Sequence, residues 1–264
     1  MDKLEKLKNI LKRMGSCLLA YSGGLDSTFL LKVASDCLGN KLLAVTADSP
    51  TYPKAELVFS RKMARALKAR HLVIKTCELS DRRFSANPVN RCYYCKRELF
   101  TKLKNLGLEY KLNFVIDASN ASDKKDFRPG KRARAELGVR SPLEEAGFTK
   151  DDIRRYSRRF GLASFNKPAQ ACLASRIPYG TKISSLLLKR IDQAEVFLKR
   201  CGFKQVRLRH YSGLCRIEVE PKEINRLINK RSLIVKRLKQ LGYVYVTLDL
   251  EGYRTGSLNE MIKK

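Results

Sequence analysis

The chain has 264 residues, enough for one large domain or two smaller ones, and 44% hydrophobic with 31% charged residues excludes a disordered or fibrous protein. Its 55 Lys+Arg against 26 Asp+Glu leave a net charge of +29, which suits anionic partners and is equally the mark of a Lys/Arg-rich surface. No apolar run reaches the roughly 20 residues that span a bilayer. Residues 1–15 mix charge with Leu throughout, unlike a secretory signal. A membrane partner is not expected, and a cytoplasmic, reducing location is. There, 8 Cys suggest a metal or reactive-sulfur site before a disulfide framework.

In chain order, residues 2–14 place Leu4, Leu7, Ile10, Leu11 and Met14 at helical spacing. Residues 16–21 form a short apolar strand, 26–38 a helix, 41–47 a second strand, and 53–69 a helix opened by Pro53. A third strand covers 71–76, a helix about 92–106, and a fourth strand 113–118. Strands alternating with helices of this length predict an α/β fold, a parallel sheet flanked by helices. Residues 119–130 are polar and loop-like, and 149–160 read as a helix with Thr149 and Asp152 placed to cap it. After an aperiodic stretch over 166–180 come a helix (184–201), strands (204–210 and 214–219), a helix (223–241) and a strand (243–250). That order predicts a smaller C-terminal α+β domain, dividing the chain into 1–180 and 181–264.

The strongest local signal is Tyr21-Ser22-Gly23-Gly24-Leu25-Asp26-Ser27, between the first strand and its helix. A helix N-terminus presents N–H groups and a positive dipole end to anions. The two glycines admit phosphate close to the backbone, Ser22 and Ser27 add hydroxyls, and Asp26 can orient a bridging Mg²⁺. A tight turn with a capping Ser is the plainer alternative. The Walker pattern GxxxxGK[ST] is absent.

Three cysteines stand out. Cys92 and Cys95 sit at a loop-to-helix junction between Arg91 and Lys96, and Cys172 lies in the aperiodic stretch. The pair is open to a structural role, zinc, or, with Cys172, a 4Fe–4S cluster with one iron open. Cys17, Cys37, Cys77, Cys201 and Cys215 read as core fillers. In Val206-Arg207-Leu208-Arg209 the two arginines share a strand face, either solvated or aimed at a phosphate or carboxylate. Glu195 and Glu218 read from pattern alone as exposed charges.

The Ser22–Ser27 segment resembles the PP-loop of the ATP-pyrophosphatase superfamily, with the adenine nucleotide alpha hydrolase-like fold, and Asp48 ends the second strand where that superfamily contacts the nucleotide. The resemblance implies ATP cleavage between the α and β phosphates. Together with the segments over 87–96, 117–133, 138–143, 167–180, 193–203, 206–219 and 247–257, the chain resembles the LarE family of pyridinium-3,5-bisthiocarboxylic acid mononucleotide synthases. These make the organic part of the nickel-pincer nucleotide cofactor of lactate racemase. The resemblance implies an ATP-dependent sulfur transferase acting on pyridinium-3,5-biscarboxylic acid mononucleotide, with ATP and Mg²⁺ held by Ser22, Gly23, Gly24, Asp26, Ser27 and Asp48. It implies Asp26 and Cys172 as catalytic residues, and Arg176, Glu195, Arg207 and Arg209 as substrate-binding. Cys92, Cys95 and Cys172 would hold the 4Fe–4S cluster; the family's other variant sacrifices the sulfur of Cys172 alone. A homo-oligomer, a hexamer in relatives, is also implied. Where the family has GTNxDD, this chain has Ala118-Ser119-Asn120-Ala121-Ser122-Asp123, while Asp126, Arg128, Pro129 and Gly130 match. Two rivals remain: a PP-loop iron–sulfur tRNA thiolase, although no RNA-binding module is recognisable, and a basic nucleic-acid-binding protein with a structural metal. Nucleic acid is not the expected partner.

Overall fold

The structure, a computed structural model, describes residues 2–125, 129–168 and 170–260. Asp126, Arg128 and Ala169 lie outside the described residues. The chain packs as two units, Met1–Phe84 with Asn90–Gln170, and Ser85–Val89 with Ala171–Lys264.

The first unit follows the alternation in the sequence: α1 (Lys3–Met14), β1 (Cys17–Ala20), α2 (Leu25–Leu38), β2 (Leu42–Asp48), α3 (Lys54–Ala66) and β3 (His71–Lys75). A helical turn α4 (Arg82–Ser85) precedes α5 (Arg91–Glu109), β4 (Phe114–Ile116), α6 (Gly130–Glu136), α7 (Pro142–Glu145) and α8 (Lys150–Arg159). The four strands form an all-parallel sheet in the order β3-β2-β1-β4. Both faces are covered. Cys17, Leu19, Leu42, Ala44 and Ile116 pack with α1, α2 and α8 through Leu7, Leu11, Phe29 and Ile153. The alternate residues Leu18, Leu43, Val45 and Val115 pack with Phe100 and Leu103 of α5. The cap expected on α8 forms: Thr149 Oγ1 accepts from Asp152 N at 3.2 Å, and Thr149 N donates to the Asp152 carboxylate at 3.0 Å.

The second unit holds α9 (Ser185–Arg200), β5 (Val206–Tyr211), β6 (Leu214–Val219), α10 (Ile224–Asn229), α11 (Arg231–Gln240) and β7 (Tyr245–Leu248). β5 and β6 pair antiparallel, and β7 joins β6 in parallel. The single helix expected over 223–241 is two, interrupted at Lys230, whose N–H closes a tighter turn on Leu227 O at 3.0 Å while its Nζ binds Cys201 O at 3.1 Å. Gly180, the expected boundary, falls inside this unit. Gly180 N donates to Asn87 O at 2.9 Å and Ile183 N to Ser85 O at 2.8 Å, so residues 177–183 are hydrogen-bonded to Ser85 and Asn87. Asn87 completes the join in a left-handed conformation (φ 58°), its Nδ2 donating to Pro178 O (2.7 Å) and Thr181 O (3.0 Å).

Candidate functional site

In the first unit β1 lies between β2 and β4, and the chain leaves it for β2 on one side and returns as β4 on the other. The carboxyl ends of such neighbouring strands make the crevice where open α/β sheets bind ligands. The Ser22–Gly24 turn stands there. Gly24 caps α2 in extended conformation, and the first intrahelical bond runs from Thr28 N to Gly24 O at 3.0 Å. The N–H groups of the preceding turn are therefore directed out of the helix. Gly23 has φ 64°, and a Cβ on it would stand 2.8 Å from the Ser60 Cβ on α3. Only glycine fits both demands. Ser22 Oγ and Ser27 Oγ lie 3.1 Å apart at the mouth.

Other loops complete the crevice. After β4, Asn120 Nδ2 donates to Asp26 Oδ2 at 3.2 Å, which ties the Ala118–Asp123 segment to the start of α2. After β2, the half-buried Asp48 is followed by Ser49 and Thr51, whose hydroxyls both donate to the buried Glu78, that of Thr51 at 2.7 Å. Behind the loop, Thr46 Oγ1 donates to Tyr21 O at 2.8 Å, so its oxygen accepts the His71 Nε2 proton at 2.8 Å. Burial, with Arg61 nearby, lowers the His71 pKa. Lys167 Nζ reaches Gly23 O at 3.2 Å, and Tyr52 donates to Ser22 O.

Cys92 and Cys95 are one turn apart at the start of α5, on one side of it and half-buried. Gly130, opening α6, packs on the same turn of α5: a Cβ there would lie 2.9 Å from Lys96 Cγ and 3.5 Å from Cys92 O. All 8 Cys are outside disulfides. Cys17 and Cys215 are buried thiols pushed up to about 12, whereas Cys77 is exposed, which corrects its reading as a core filler. Among the described residues no three His, Cys, Asp or Glu side chains gather as a metal site.

In the second unit Cys172 immediately precedes a 3₁₀ turn (Leu173–Arg176) and its carbonyl accepts from Ser175 N (3.0 Å), Ser175 Oγ (2.8 Å) and Arg176 Nη1 (3.1 Å). Arg176, fully buried, forks onto Glu195 at 2.8 and 3.0 Å and also binds Ala171 O at 2.9 Å. Burial would raise the Glu195 pKa, but Arg176 overrides it and holds the carboxyl below its ordinary value. Arg207 and Arg209 do share a face, as the alternation requires. That face is buried, not solvated. Arg209 forks onto Glu218 at 2.9 Å twice, and binds Ser175 O (2.7 Å) and Ser257 Oγ (2.8 Å). Arg207 lies 5.2 Å from the centroid of the Tyr253 ring, with its pKa lowered by burial and by Arg176. The reading of Glu195 and Glu218 as exposed charges is corrected: both are sealed in.

No protein-family model matches the chain. A pyridinium-3,5-bisthiocarboxylic acid mononucleotide synthase of Lactiplantibacillus plantarum is 34% identical over 96% of this chain and 92% of its own length. The chain belongs to the LarE family. Two uncharacterised proteins are also similar: one of Synechocystis, 43% identical over the whole chain and 99% of its own length, and one of Methanocaldococcus jannaschii, 30% identical over 97% and 98%. In this LarE-family chain the sequence alone pointed to the Ser22–Ser27 turn, the cysteines and the face shared by Arg207 and Arg209, but not to the burial of that face. It gave no sign of Lys167, Tyr52, Glu56 and Glu78, whose contacts surround that turn and the loop after β2. Lys167 carries no local pattern that ties it to Gly23, from which it is separated by 144 positions.

Proposed function

We propose that the protein is an ATP-dependent sulfur transferase of the PP-loop type, which adenylates a carboxylate of pyridinium-3,5-biscarboxylic acid mononucleotide and converts it to a thiocarboxylate. The observation that carries this reading is the glycine turn at the head of α2, at the crossover point of a parallel sheet, in a chain of the LarE family. Gly23 and Gly24 N–H groups with the Ser22 and Ser27 hydroxyls hold the ATP phosphates. The substrate carboxylate then attacks the α-phosphorus, forming an acyl adenylate and expelling pyrophosphate; a sulfur nucleophile displaces AMP. Asp26, steadied by Asn120, supplies an oxygen ligand fit for Mg²⁺, which would neutralise phosphate charge. Cys92, Cys95 and Cys172 offer the soft thiols suited to a 4Fe–4S cluster, which would supply the transferred sulfide. Arg176 and Arg209, each matched by its own buried carboxylate, hold the Cys172 turn through the Cys172 and Ser175 carbonyls instead of facing substrate, and Arg207 beside them is proposed to meet the substrate's anionic groups. A homo-oligomer, with its product serving nickel-pincer cofactor synthesis, belongs to the same reading.

The test is incubation of the purified chain with ATP, Mg²⁺ and the biscarboxylic mononucleotide under anaerobic conditions. AMP, pyrophosphate and a thiocarboxylate are expected. Release of ADP, or turnover with tRNA in place of the mononucleotide, would overturn the assignment.

A further inference from the structure

We propose that Lys167 and Tyr52 are positioning residues that fix the orientation of two phosphate-loop peptides, so that the N–H groups of Gly23 and Gly24 face the nucleotide. The inference rests on the PP-loop reading above and adds what aims the loop. The described chain has no cis peptide. In a trans peptide the N–H of one residue points opposite the C=O of the residue before it. Whatever holds the Ser22 carbonyl therefore sets the Gly23 N–H, and whatever holds the Gly23 carbonyl sets the Gly24 N–H.

Both carbonyls are held from behind. Tyr52 Oη donates to Ser22 O, and Lys167 Nζ to Gly23 O at 3.2 Å. Without these ties the peptides would rotate at little cost, because glycine accepts either sign of φ. A rotated peptide would turn its oxygen on the phosphate and repel it. The two donors are themselves fixed. Lys167 Nζ is paired with Glu56 at 2.7 Å and stands 3.6 Å from the centroid of the Phe59 ring, both on α3. Burial, then the Glu56 charge, raises the Tyr52 pKa, so the phenol keeps the proton it donates. The segment from Tyr21 to Ser27 has no basic residue of its own. Lys167 lies on the carbonyl side of the Gly23–Gly24 peptide, so it acts through that peptide, polarising its N–H, and not as a direct phosphate ligand.

The experiment is calorimetric titration of the wild type, Lys167→Met, Lys167→Arg and Tyr52→Phe with ATP, with inorganic pyrophosphate and with adenosine. Losing a charged donor should weaken ATP and pyrophosphate binding by about ten- to a hundredfold in Lys167→Met, and losing a neutral one by about two- to tenfold in Tyr52→Phe. Adenosine affinity should not move, and Lys167→Arg should recover most of the loss. The shift of the Gly24 amide resonance on adding pyrophosphate should shrink in both deficient variants. Equal binding by all four proteins overturns the proposal. So does loss in Lys167→Met alone with Tyr52→Phe like wild type, since that marks a charge acting directly on phosphate. If Lys167→Met does not fold, Tyr52→Phe still decides. A wild type that binds neither ATP nor pyrophosphate removes the PP-loop reading itself, an outcome distinct from wild-type binding with unaltered variants.

Discussion

Glu195 stays ionised inside the protein because one guanidinium lies across both of its oxygens and Leu208 N donates to it at 3.1 Å. Its folded pKa lies below the unfolded value, so the stability it contributes is present above the unfolded carboxyl pKa and is lost as pH falls through the folded one. Glu195→Gln should cost about 3–5 kcal/mol at neutral pH, since it leaves Arg176 buried without its counter-charge. It should also flatten the acid limb of the stability profile in urea denaturation. Gly23→Ala tests a different constraint. The new methyl group meets Ser60 and the residue must stay at positive φ, so substrate-dependent pyrophosphate release should collapse. Gly23→Ala combined with Ser60→Gly should regain at most a small part of it, because the closest contact goes while Ser60 Cα at 3.0 Å, Ser60 N at 3.3 Å and a backbone strain of about 1–2 kcal/mol remain. Wild-type pyrophosphate release by Gly23→Ala alone would show that neither the α3 contact nor the positive φ constrains the turn.

At the scale of elements, α8 offers the clearest pH test. Burial works against ionisation of Asp152, but Lys3 and the Thr149 hydrogen bonds outweigh it and pull the carboxyl from 3.8 to about 2. The cap is therefore at full strength above the unfolded value and fails as pH drops through about 2. Thr149→Ala should lower stability by about 1 kcal/mol at neutral pH, measured by thermal or chemical denaturation. This cap was legible because its pattern is local. So was the β1–α2 turn, where apolar run, glycine pair and helix follow without interruption. The break at Lys230 was not legible: Leu227, Ile234 and Leu238 keep helical spacing straight across it. Likewise the alternation put Arg207 and Arg209 on one face, but the Leu173–Arg176 turn and Ser257 that seal it come from distant parts of the chain. Period gives the face of a strand; it does not give what will cover that face.

For the whole molecule the open chemical question is where the sulfur originates. If Cys92, Cys95 and Cys172 together hold a cluster, anaerobic protein resupplied with sulfide should form several products per chain and keep its full mass. Cys172 as sole donor would give one product per chain and the loss of one H₂S, leaving dehydroalanine. Intact-mass spectrometry after turnover separates the two, and Cys92→Ala and Cys95→Ala should abolish activity only in the first case. Iron and acid-labile sulfide content of the anaerobic protein provides an independent measure.

The five residues Ser85–Val89 leave neither unit as an unbroken stretch of chain. During synthesis they emerge well before their partners, and Asn87 must wait for Thr181, 94 positions later, before its hydrogen bonds can close. That closure carries the loop entropy of everything between, including α5, β4 and α8. The second unit therefore cannot finish folding as an independent tail, and its completion reports on the chain before it. A gene cut after Gln170 would yield a C-terminal fragment without the Ser85 and Asn87 hydrogen-bond partners of residues 177–183. Grafting Ser85–Val89 onto such a fragment through a new connection would restore those partners.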